Sequence, residues 1–355
     1  RTAYDAARGN INITPGELFP PDHAIQPMLA HGWEQVDTWK DWLTGSIADS
    51  QQNLQELLQR GYSTENVTEI PLLVDLERIQ PHAVKRHDTP RPFTILYVGR
   101  IMPHKNQLGL IDAFALLLRS AQVPLQLYLV GGFTVPDYKS RLQERINELG
   151  IQNFVSLTGK VDDDTLTSLY RRSDLFVSLS HHEGFGMPLI EAMAHELPVI
   201  AYDAPNSNVV HTLGSAGLLL DSPDPHQVAA TIAQVMENPA LRRNLRRRGI
   251  ERMHEFGYQH LYDRLSSYLA KFEINLPQFS FPPVVPRPVM DYRVEGPFDS
   301  TYSLALVNRE LGRAIAEHGH NVPLRATEGP GPIPVDPAFL EANPDCAELH
   351  RHAEL

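Results

Sequence analysis

The sequence predicts an α/β protein built on a parallel, doubly wound, Rossmann-like sheet. Apolar runs of strand length, such as residues 93–98 and 125–130, alternate with longer segments that carry apolar residues at helical spacing. These runs show no regular polar alternation, which is typical of strands that helices cover on both faces. The alternation of strands and helices continues to residue 236, which is long enough for a complete sheet.

Composition and charge argue against several classes of protein. The chain has 355 residues, 42% of them hydrophobic, which is enough for more than one domain with its own core. A formal net charge of −12 argues against general nucleic-acid binding, which needs a basic surface. No apolar run reaches the roughly 18 residues of a membrane-spanning helix. The single cysteine, Cys346, excludes an internal disulfide and a cysteine-based metal site, and it indicates a reducing, cytoplasmic compartment.

The predicted elements that precede the sheet are short. Residues 51–60 have the pattern of a helix that ends at Gly61. The alternating apolar residues of 67–73 predict a strand. Residues 82–91 are polar and flanked by prolines, which indicates a hinge or linker.

The three tryptophans of the chain, Trp33, Trp39 and Trp42, lie within ten positions of one another. The favoured interpretation is a small aromatic core, because large aromatic side chains dominate packing. A sugar-stacking platform is the alternative.

From residue 92 onward, strands and helices alternate in a regular order. The predicted strands are residues 93–98, 125–130, 154–157, 175–179, 199–200 and 217–220. The predicted helices are residues 108–118, 138–149, 166–170 and 225–236, together with an apolar helix that begins after Gly186. Two further helices follow at residues 241–256 and 261–272, and the basic run 242–248 is interpreted as a solvated helix face.

A second unit begins after these helices. Residues 276–290 are rich in proline and predict an extended linker. Residues 291–296 read as the end of a strand, 304–318 as a helix and 319–324 as the next strand, which is how a Rossmann-like unit begins. Residues 329–344 are predicted to form a loop. The resulting domain boundaries are 1–90, 91–257, 258–275, 276–290 and 291–355.

The first connection of the sheet carries a candidate anion site. Gly99 allows close backbone approach, and Arg100 and Lys105 place two cations before a helix that starts after Asn106. Ligands of open α/β sheets bind at the carboxyl ends of strands, so a diphosphate is the expected partner. The alternative is two surface cations on a turn.

A second candidate site lies between Glu183 and Glu191. Gly184 and Gly186 give the backbone the freedom to form a turn, and Pro188 fits the first turn of the helix that follows. Glu191 faces the same side of that helix as the loop, and its carboxylate can accept two hydroxyl protons in parallel. The two carboxylates could also form an acid–base pair, or they could be a helix-terminal charge and a surface glutamate.

Two further patterns resemble sites. The run Asp162-Asp163-Asp164 resembles an acidic metal motif, but acidic residues before an apolar helix are typical of an N-cap and first turn. His181 and His182 have no third ligand at metal-binding spacing. Residues 205–208 could form a polar wall of the site or a simple turn.

Together these segments resemble the C-terminal lobe of retaining GT-B glycosyltransferases, of the group 1 or glycosyltransferase family 4 kind. The resemblance covers residues from about 93 to 252. It rests on Gly99-Arg100 with Lys105-Asn106, Gly131-Gly132, Gly159-Lys160-Val161, Glu183-Gly-Phe-Gly with Glu191-Ala-Met-Ala, and Pro198-Val-Ile-Ala, in this order. The number and order of these motifs make the resemblance specific.

The resemblance implies a site for a nucleotide-diphosphate sugar, with UDP or GDP as the nucleotide. Arg100 and Lys105 would hold the diphosphate and offset the charge of the leaving group, and with Glu183 they are the implied catalytic residues. Glu183 would bind the hydroxyls of the donor sugar, and Glu191 those of the ribose. The other implied donor-binding residues are Gly99, Asn106, Val161, Gly184, Phe185, Gly186, Met187, Pro188 and Leu189.

The resemblance also implies the type of reaction. The sugar would be transferred with retention to a glycan or lipid-linked acceptor, as in polysaccharide biosynthesis, with no metal or other cofactor. The alternative function is a nucleotide-sugar-binding module that is inactive without a missing acceptor lobe. A nicotinamide-dependent dehydrogenase on the same sheet is disfavoured, because no G-x-G-x-x-G opens the first strand–helix turn.

The chain departs from the family pattern at both ends. Only about 90 residues, interpreted as a remnant of an N-terminal lobe, precede the donor lobe, and the family's glutamate is not apparent near Asn208. Residues 296–322 resemble the start of an N-terminal lobe but follow the donor lobe. The expectation is a piece of a longer protein with glycosyltransferase modules in tandem. Alternatively, the C-terminal piece folds back to supply part of the missing lobe.

Overall fold

The computed structural model describes residues 13–19, 21–74, 91–133, 135–277 and short segments between 294 and 350. These residues fall into two compact units. The first is drawn from residues 1–234 and 248–284, and the second from residues 235–247 and 285–355. Within the described ranges, no helix is long and apolar enough to cross a bilayer.

The N-terminal segment forms two helices and a two-stranded parallel sheet. The elements are α1 (Gln26–Trp39), β1 (Ser46–Ala48), α2 (Gln51–Gln59) and β2 (Val67–Glu69). The Ser50 side chain caps α2 by accepting a hydrogen bond from the Asn53 amide at 3.2 Å, and Gly61 at φ 85° follows the helix. The predicted helix is therefore confirmed. The predicted strand 67–73 is shorter, since it stops before Pro71, which has no N–H to donate.

The tryptophans do not pack together as one aromatic core. Trp33 packs against the small N-terminal core, and the Arg60 guanidinium lies 3.8 Å from its ring centroid. Trp42 is 81% exposed. The interpretation of a shared aromatic core was wrong for Trp42, because the chain has already left helix α1 and turns outward there.

Six parallel strands form the central sheet. They are β3 (Phe93–Val98), β4 (Leu125–Val130), β5 (Val155–Gly159), β6 (Leu175–Ser178), β7 (Val199–Tyr202) and β8 (Leu218–Leu220). Their spatial order is β5-β4-β3-β6-β7-β8, and every neighbouring pair is parallel. Most of their residues are buried, as expected for a sheet covered by helices. The predicted doubly wound α/β fold is confirmed.

Helices follow these strands in the predicted order, except that the short helix Val209–Leu213 was not predicted. They are α3 (Gln107–Ser120), α4 (Pro136–Leu149), α5 (Asp163–Arg172), α6 (Met187–Ala194), α7 (Val209–Leu213), α8 (Pro225–Glu237), α9 (Pro239–Met253) and α10 (Tyr258–Ala270). The basic run lies on α9, and its Arg246 is only 6% exposed. The interpretation of that run as a solvated face was therefore wrong for Arg246.

A close backbone approach joins the ends of β3 and β4. Gly131 has φ 150°, and a Cβ placed on it would lie 1.8 Å from the carbonyl oxygen of Gly99. The amide of Ile101 then bonds the carbonyl of Gly132 at 2.9 Å. Only glycine fits at position 131, so the sequence pair Gly131-Gly132 fixes the shape of the first strand–helix connection.

Helix α10 packs against the N-terminal segment. The Tyr268 hydroxyl lies 3.0 Å from the carbonyl oxygen of Ser46 and 2.7 Å from that of Asn66. Arg264 pairs with Glu69 at 2.8 Å. These contacts hold the small parallel sheet to the end of the first unit.

The second unit contains short elements. Strand β9 (Val294–Glu295) pairs in parallel with β10 (Leu324–Arg325), at the ends of the two predicted strands. Strands β11 (Thr327–Glu328) and β12 (Gly331–Pro332) are antiparallel, and helix α11 (Pro337–Ala342) follows. The predicted loop 329–344 was therefore wrong in part, because α11 starts with a proline at its first helical position.

Several predictions concern residues that lie largely outside the described ranges. They are the hinge 82–91, of which only Arg91 is described, the linker 276–290, of which 276 and 277 are described, and the helix 304–318, of which only Leu311 is described and is helical.

Candidate functional site

The site lies where the order of the sheet reverses. Strands β4 and β5 lie on one side of β3, and β6, β7 and β8 lie on the other. The connections that leave β3 and β6 therefore diverge and open a crevice at the carboxyl ends of these strands, which is where open α/β sheets bind ligands. Both candidate clusters of the sequence follow these two strands.

Lys105 and Glu183 meet directly across this crevice. The Lys105 ammonium lies 2.7 Å from a Glu183 carboxylate oxygen and donates to the His182 carbonyl at 2.9 Å. Their side chains are only 11% and 14% exposed, so the pair is shielded from solvent. The sequence placed these residues in separate clusters, whereas the structure joins them into one.

Arg100 occupies the rim of the same crevice. Its side chain is exposed, and no ion pair or hydrogen bond to its guanidinium is found within the described part of the chain. Its carbonyl oxygen accepts from Gln107 at 3.0 Å and from the Tyr97 hydroxyl at 3.3 Å, which fixes the backbone after Gly99. The guanidinium is therefore held near the site and stays available for an anion.

Asn106 shapes the turn that carries Lys105. Pro103–Lys105 form a 3₁₀ turn, and Asn106 then adopts the left-handed conformation at φ 53°. Its side chain accepts from the Gly109 amide at 3.2 Å and so caps helix α3. Asn106 therefore has a capping function, and it fixes Lys105 in the turn that precedes α3.

The loop after Glu183 presents backbone amides. Gly186 has φ 87° and is the N-cap of α6. No acceptor for the N–H groups of residues 184–187 is found among the described residues. Together with the positive end of the α6 dipole, these amides form a setting suited to an anion.

The side chains of this loop point away from the crevice. Phe185 and Leu189 belong to the hydrophobic core of the sheet, and Met187 packs against it. Any contact of Phe185 or Leu189 with a ligand would therefore run through the backbone. Pro188 is half-buried and occupies the first turn of α6, where its missing N–H costs no helical hydrogen bond.

Residues 207 and 208, which the sequence offered as a wall or a turn, hold the backbone of Glu183. The Glu183 amide donates to the Ser207 hydroxyl at 3.2 Å, and the Asn208 amide donates to the Glu183 carbonyl at 2.9 Å. Both residues were left without a specific function by the sequence, because this pairing joins the ends of two different strands, β6 and β7.

Glu191 is bonded to a residue that sequence reasoning missed. The Tyr170 hydroxyl donates to a Glu191 carboxylate oxygen at 2.8 Å, and the Tyr170 ring stacks on His195 with centroids 4.9 Å apart. Burial raises the pKa of Glu191 above its usual value, the Tyr170 hydrogen bond lowers it, and the charge of Asp163 raises it further. Nothing in the spacing of Tyr170 pointed to this pairing.

Val161 and Asp162, which the sequence singled out, follow strand β5 at the edge of the sheet. Val161 is half-buried and packs against the core. Asp162 accepts from the Thr165 amide at 2.7 Å and caps α5, which confirms the predicted capping function. Within the described residues, no group of three histidine, cysteine, aspartate or glutamate side chains could hold a metal ion.

Two buried histidines flank the Lys105–Glu183 pair. Burial, and then the charge of Lys105, lowers the pKa of His104 to about 3. The same two causes lower the pKa of His182, while Glu183 opposes them. Both rings are therefore neutral at physiological pH. His104 also contacts Phe19 edge-on, at 5.6 Å between ring centroids.

Residues 81–252 match the family model described as glycosyl transferases group 1. The match covers slightly less than half of the chain. The matched segment contains all six strands of the central sheet and both candidate clusters.

The curated relatives of this chain are named as glycosyltransferases. D-inositol 3-phosphate glycosyltransferase of Thermomonospora curvata is 29% identical over 273 residues, 72% of this chain and 62% of the relative. O-antigen chain mannosyltransferase B of Escherichia coli is 31% identical over 166 residues, 46% of this chain and 42% of the relative. The chain thus spans less than two thirds of the length of these group 1 glycosyltransferases.

Solved structures share the fold. A crystal structure of Anabaena Alr3699/HepE in complex with UDP-glucose matches with a TM-score of 0.60 and 22% identity, over 72% of this chain and 70% of that chain. Sucrose-phosphate synthase from Thermosynechococcus elongatus matches with a TM-score of 0.55 and 24% identity, over 68% and 62%. At this level of identity the likeness shows the GT-B fold of the neighbours.

Proposed function

We propose that this chain is a group 1 glycosyltransferase that binds a nucleotide-diphosphate sugar and transfers its sugar, with retention, to a glycan or lipid-linked acceptor. The observation that carries the proposal is the Lys105–Glu183 pair at the switch point of the sheet, beside the amides of residues 184–187. A cation and free amides next to a carboxylate suit a ligand that is anionic at one end and rich in hydroxyls at the other.

In this proposal, different residues bind the diphosphate, the sugar and the ribose of the donor. The diphosphate would take the Arg100 guanidinium, the Lys105 ammonium and the amides at the start of α6. The sugar hydroxyls would donate to Glu183, and the ribose hydroxyls would donate to Glu191. The two cations would offset the charge that develops on the leaving diphosphate, so the transfer would need no metal.

The relatives support the donor class. A structural neighbour was crystallised with UDP-glucose, and the curated relatives are named as an inositol phosphate glycosyltransferase and a mannosyltransferase. The alternative function is a nucleotide-sugar-binding module that needs further residues for turnover. The observation behind it is that the described residues 13–19 and 21–74 contain one small parallel sheet, β1 paired with β2.

Calorimetry tests the binding site. Lys105→Ala and Glu183→Ala should each weaken UDP-glucose or GDP-mannose binding by about tenfold or more, since each removes a charged hydrogen-bond partner. Lys40→Ala and Glu237→Ala remove exposed charges from other helices and should leave the affinity unchanged. Unaltered affinity in both site variants would rule out the assignment.

A transfer assay separates the enzyme from the binding module. The full chain should form product from a nucleotide-sugar donor in the presence of EDTA, at the rate measured without it. NMR of the first product should show the anomeric configuration of the donor. Inverted product would refute retention, loss of activity in EDTA would refute the metal-free mechanism, and donor binding without any turnover would establish the alternative.

A further inference from the structure

Asn208 connects three parts of the structure through one buried side chain. The residue is 3% exposed and stands just before helix α7. Its Oδ1 accepts a hydrogen bond from the backbone amide of Gln52, at 3.3 Å, in the first turn of α2. Its Nδ2 donates to the Thr212 hydroxyl at 3.0 Å. The contact with Gln52 spans 156 positions of sequence and joins the N-terminal segment to the central sheet.

The direction of each hydrogen bond follows from the chemistry of the partners. A backbone amide can only donate, so the oxygen of the Asn208 side chain must face Gln52. The Thr212 hydroxyl lies 2.5 Å from the Phe185 carbonyl oxygen, which can only accept. Thr212 therefore donates to Phe185, and its oxygen is left to accept from the Asn208 amide.

These bonds converge on the loop that carries Glu183. The Asn208 backbone amide holds the Glu183 carbonyl, and the Asn208 side chain reaches the Phe185 carbonyl through Thr212. Both ends of the segment 183–185 are thus held by Asn208. A shift of α2 would displace Asn208 and would be passed to the Glu183 carboxylate, because buried groups resist losing their partners.

We propose that Asn208 is a positioning residue that links helix α2 to the Glu183 loop, so that the N-terminal segment sets the geometry of the donor-sugar carboxylate. The effect on donor binding rests on the function proposed above, whereas the link itself does not. In the proposed function the nucleotide is also held by Arg100, Lys105 and Glu191, which Asn208 does not contact, so the link should affect affinity for the sugar part of the donor more than affinity for the nucleotide.

A pair of proline variants isolates the link. Gln52→Pro removes the N–H that bonds Asn208, at a helix turn where proline is tolerated. Gln51→Pro is the control, because it removes the preceding N–H, for which no acceptor is found among the described residues. Asn208→Leu removes both side-chain bonds and serves as the second variant. Melting temperatures of all variants are measured first, and the comparisons use only temperatures at which each variant is folded.

Hydrogen exchange of the unliganded chain is the first readout. The amide of Glu183, which donates to Ser207, and the amide of Asn208, which donates to the Glu183 carbonyl, should exchange about tenfold faster in Gln52→Pro and Asn208→Leu than in the wild type, and at the wild-type rate in Gln51→Pro. Wild-type exchange in both test variants, or equal acceleration in the control, would overturn the link.

Calorimetry is the second readout. For the sugar nucleotide that the wild type binds, UDP-glucose or GDP-mannose, Gln52→Pro and Asn208→Leu should raise the Kd about fivefold to tenfold. The Kd of the matching nucleoside diphosphate should rise by only about twofold to threefold, because Arg100, Lys105 and Glu191 still hold it, and general destabilisation would not produce this difference. Equal weakening of both ligands would refute the positioning function. A wild type that binds no nucleotide sugar would instead refute the proposed function, and the exchange comparison would still decide the link.

Discussion

Lys105 and Glu183 form a largely buried ion pair, so a substitution of either residue also affects the other. The two charges neutralise each other at 2.7 Å with little exposure to solvent. Removing one partner leaves the other charge largely buried and unpaired, which destabilises a protein more than the pair itself stabilises it. Loss of binding in a single variant therefore has to be compared with its melting temperature, and Lys105→Met combined with Glu183→Gln removes both charges together.

Under the proposed function, ionisation of Glu191 should make nucleotide binding depend on pH. If Glu191 accepts the ribose hydroxyls, its carboxylate must be ionised, and its pKa lies above the usual value because of burial. The affinity for UDP or GDP should therefore fall as the pH drops through that pKa. Tyr170→Phe removes a hydrogen bond to the ionised form, so the pKa rises further and the fall should begin at higher pH.

The control for this prediction makes the same tyrosine-to-phenylalanine change at a position outside the proposed site. Tyr62→Phe removes a tyrosine hydroxyl that bonds the Val36 carbonyl in the N-terminal segment, and the pH profile of binding should not move. The Phe ring at 170 can still stack on His195, so packing is preserved. An identical profile for Tyr170→Phe and wild type, measured by calorimetry between pH 5 and 8, would show that Glu191 does not contact the nucleotide.

At the scale of helices and strands, much of the fold could be predicted from the sequence. The runs 93–98 and 125–130 coincide with β3 and β4, because a strand buried on both faces needs an unbroken apolar run. The helices with strong start and stop signals, such as α2 and α5, also lie where capping residues predicted them. The segment 70–73 was misread, since the apolar pattern ignores what Pro71 does to a strand.

The contacts of the site were harder to predict because they depend on strand order. The positions of Arg100, Lys105, Glu183 and Glu191 at element ends were readable from the sequence. That Lys105 touches Glu183 follows from β3 lying beside β6, and adjacency of strands 80 residues apart leaves no local pattern. The contacts of Tyr170, Ser207 and Asn208 could not be predicted for the same reason, because their partners lie on other elements.

On the scale of the whole molecule, the N-terminal segment is tied to the central sheet at two places. Helix α10 returns from the sheet to bond the strands of the small N-terminal sheet, through Tyr268 and Arg264. Helix α2 bonds the Glu183 loop through Asn208. The α10 contacts hold the small sheet, and the Asn208 contact links helix α2 to the Glu183 loop.

Two buried histidines should make the folded first unit sensitive to acid. Burial lowers the pKa of His104 to about 3 and, together with Arg171, that of His195 to about 4, from an unfolded value near 6.5. Below pH 6.5 the unfolded chain binds protons that the folded chain does not. The stabilisation is therefore complete above pH 6.5 and is lost as the pH falls toward the folded pKa values, by at most about 1.4 kcal/mol per pH unit for each histidine.

Unfolding measured at several pH values tests this sensitivity. Wild-type melting temperature should fall steadily between pH 6.5 and 4.5, and His104→Leu should lessen the slope, because the variant has no ring to protonate in the unfolded state. His226→Leu replaces an exposed histidine and should leave the slope unchanged. If His104→Leu and His226→Leu gave the same slope as the wild type, His104 would have to be protonated in the folded protein. The ammonium of Lys105 would then face a second cation beside Glu183, and the diphosphate site would carry more positive charge at low pH than at neutral pH.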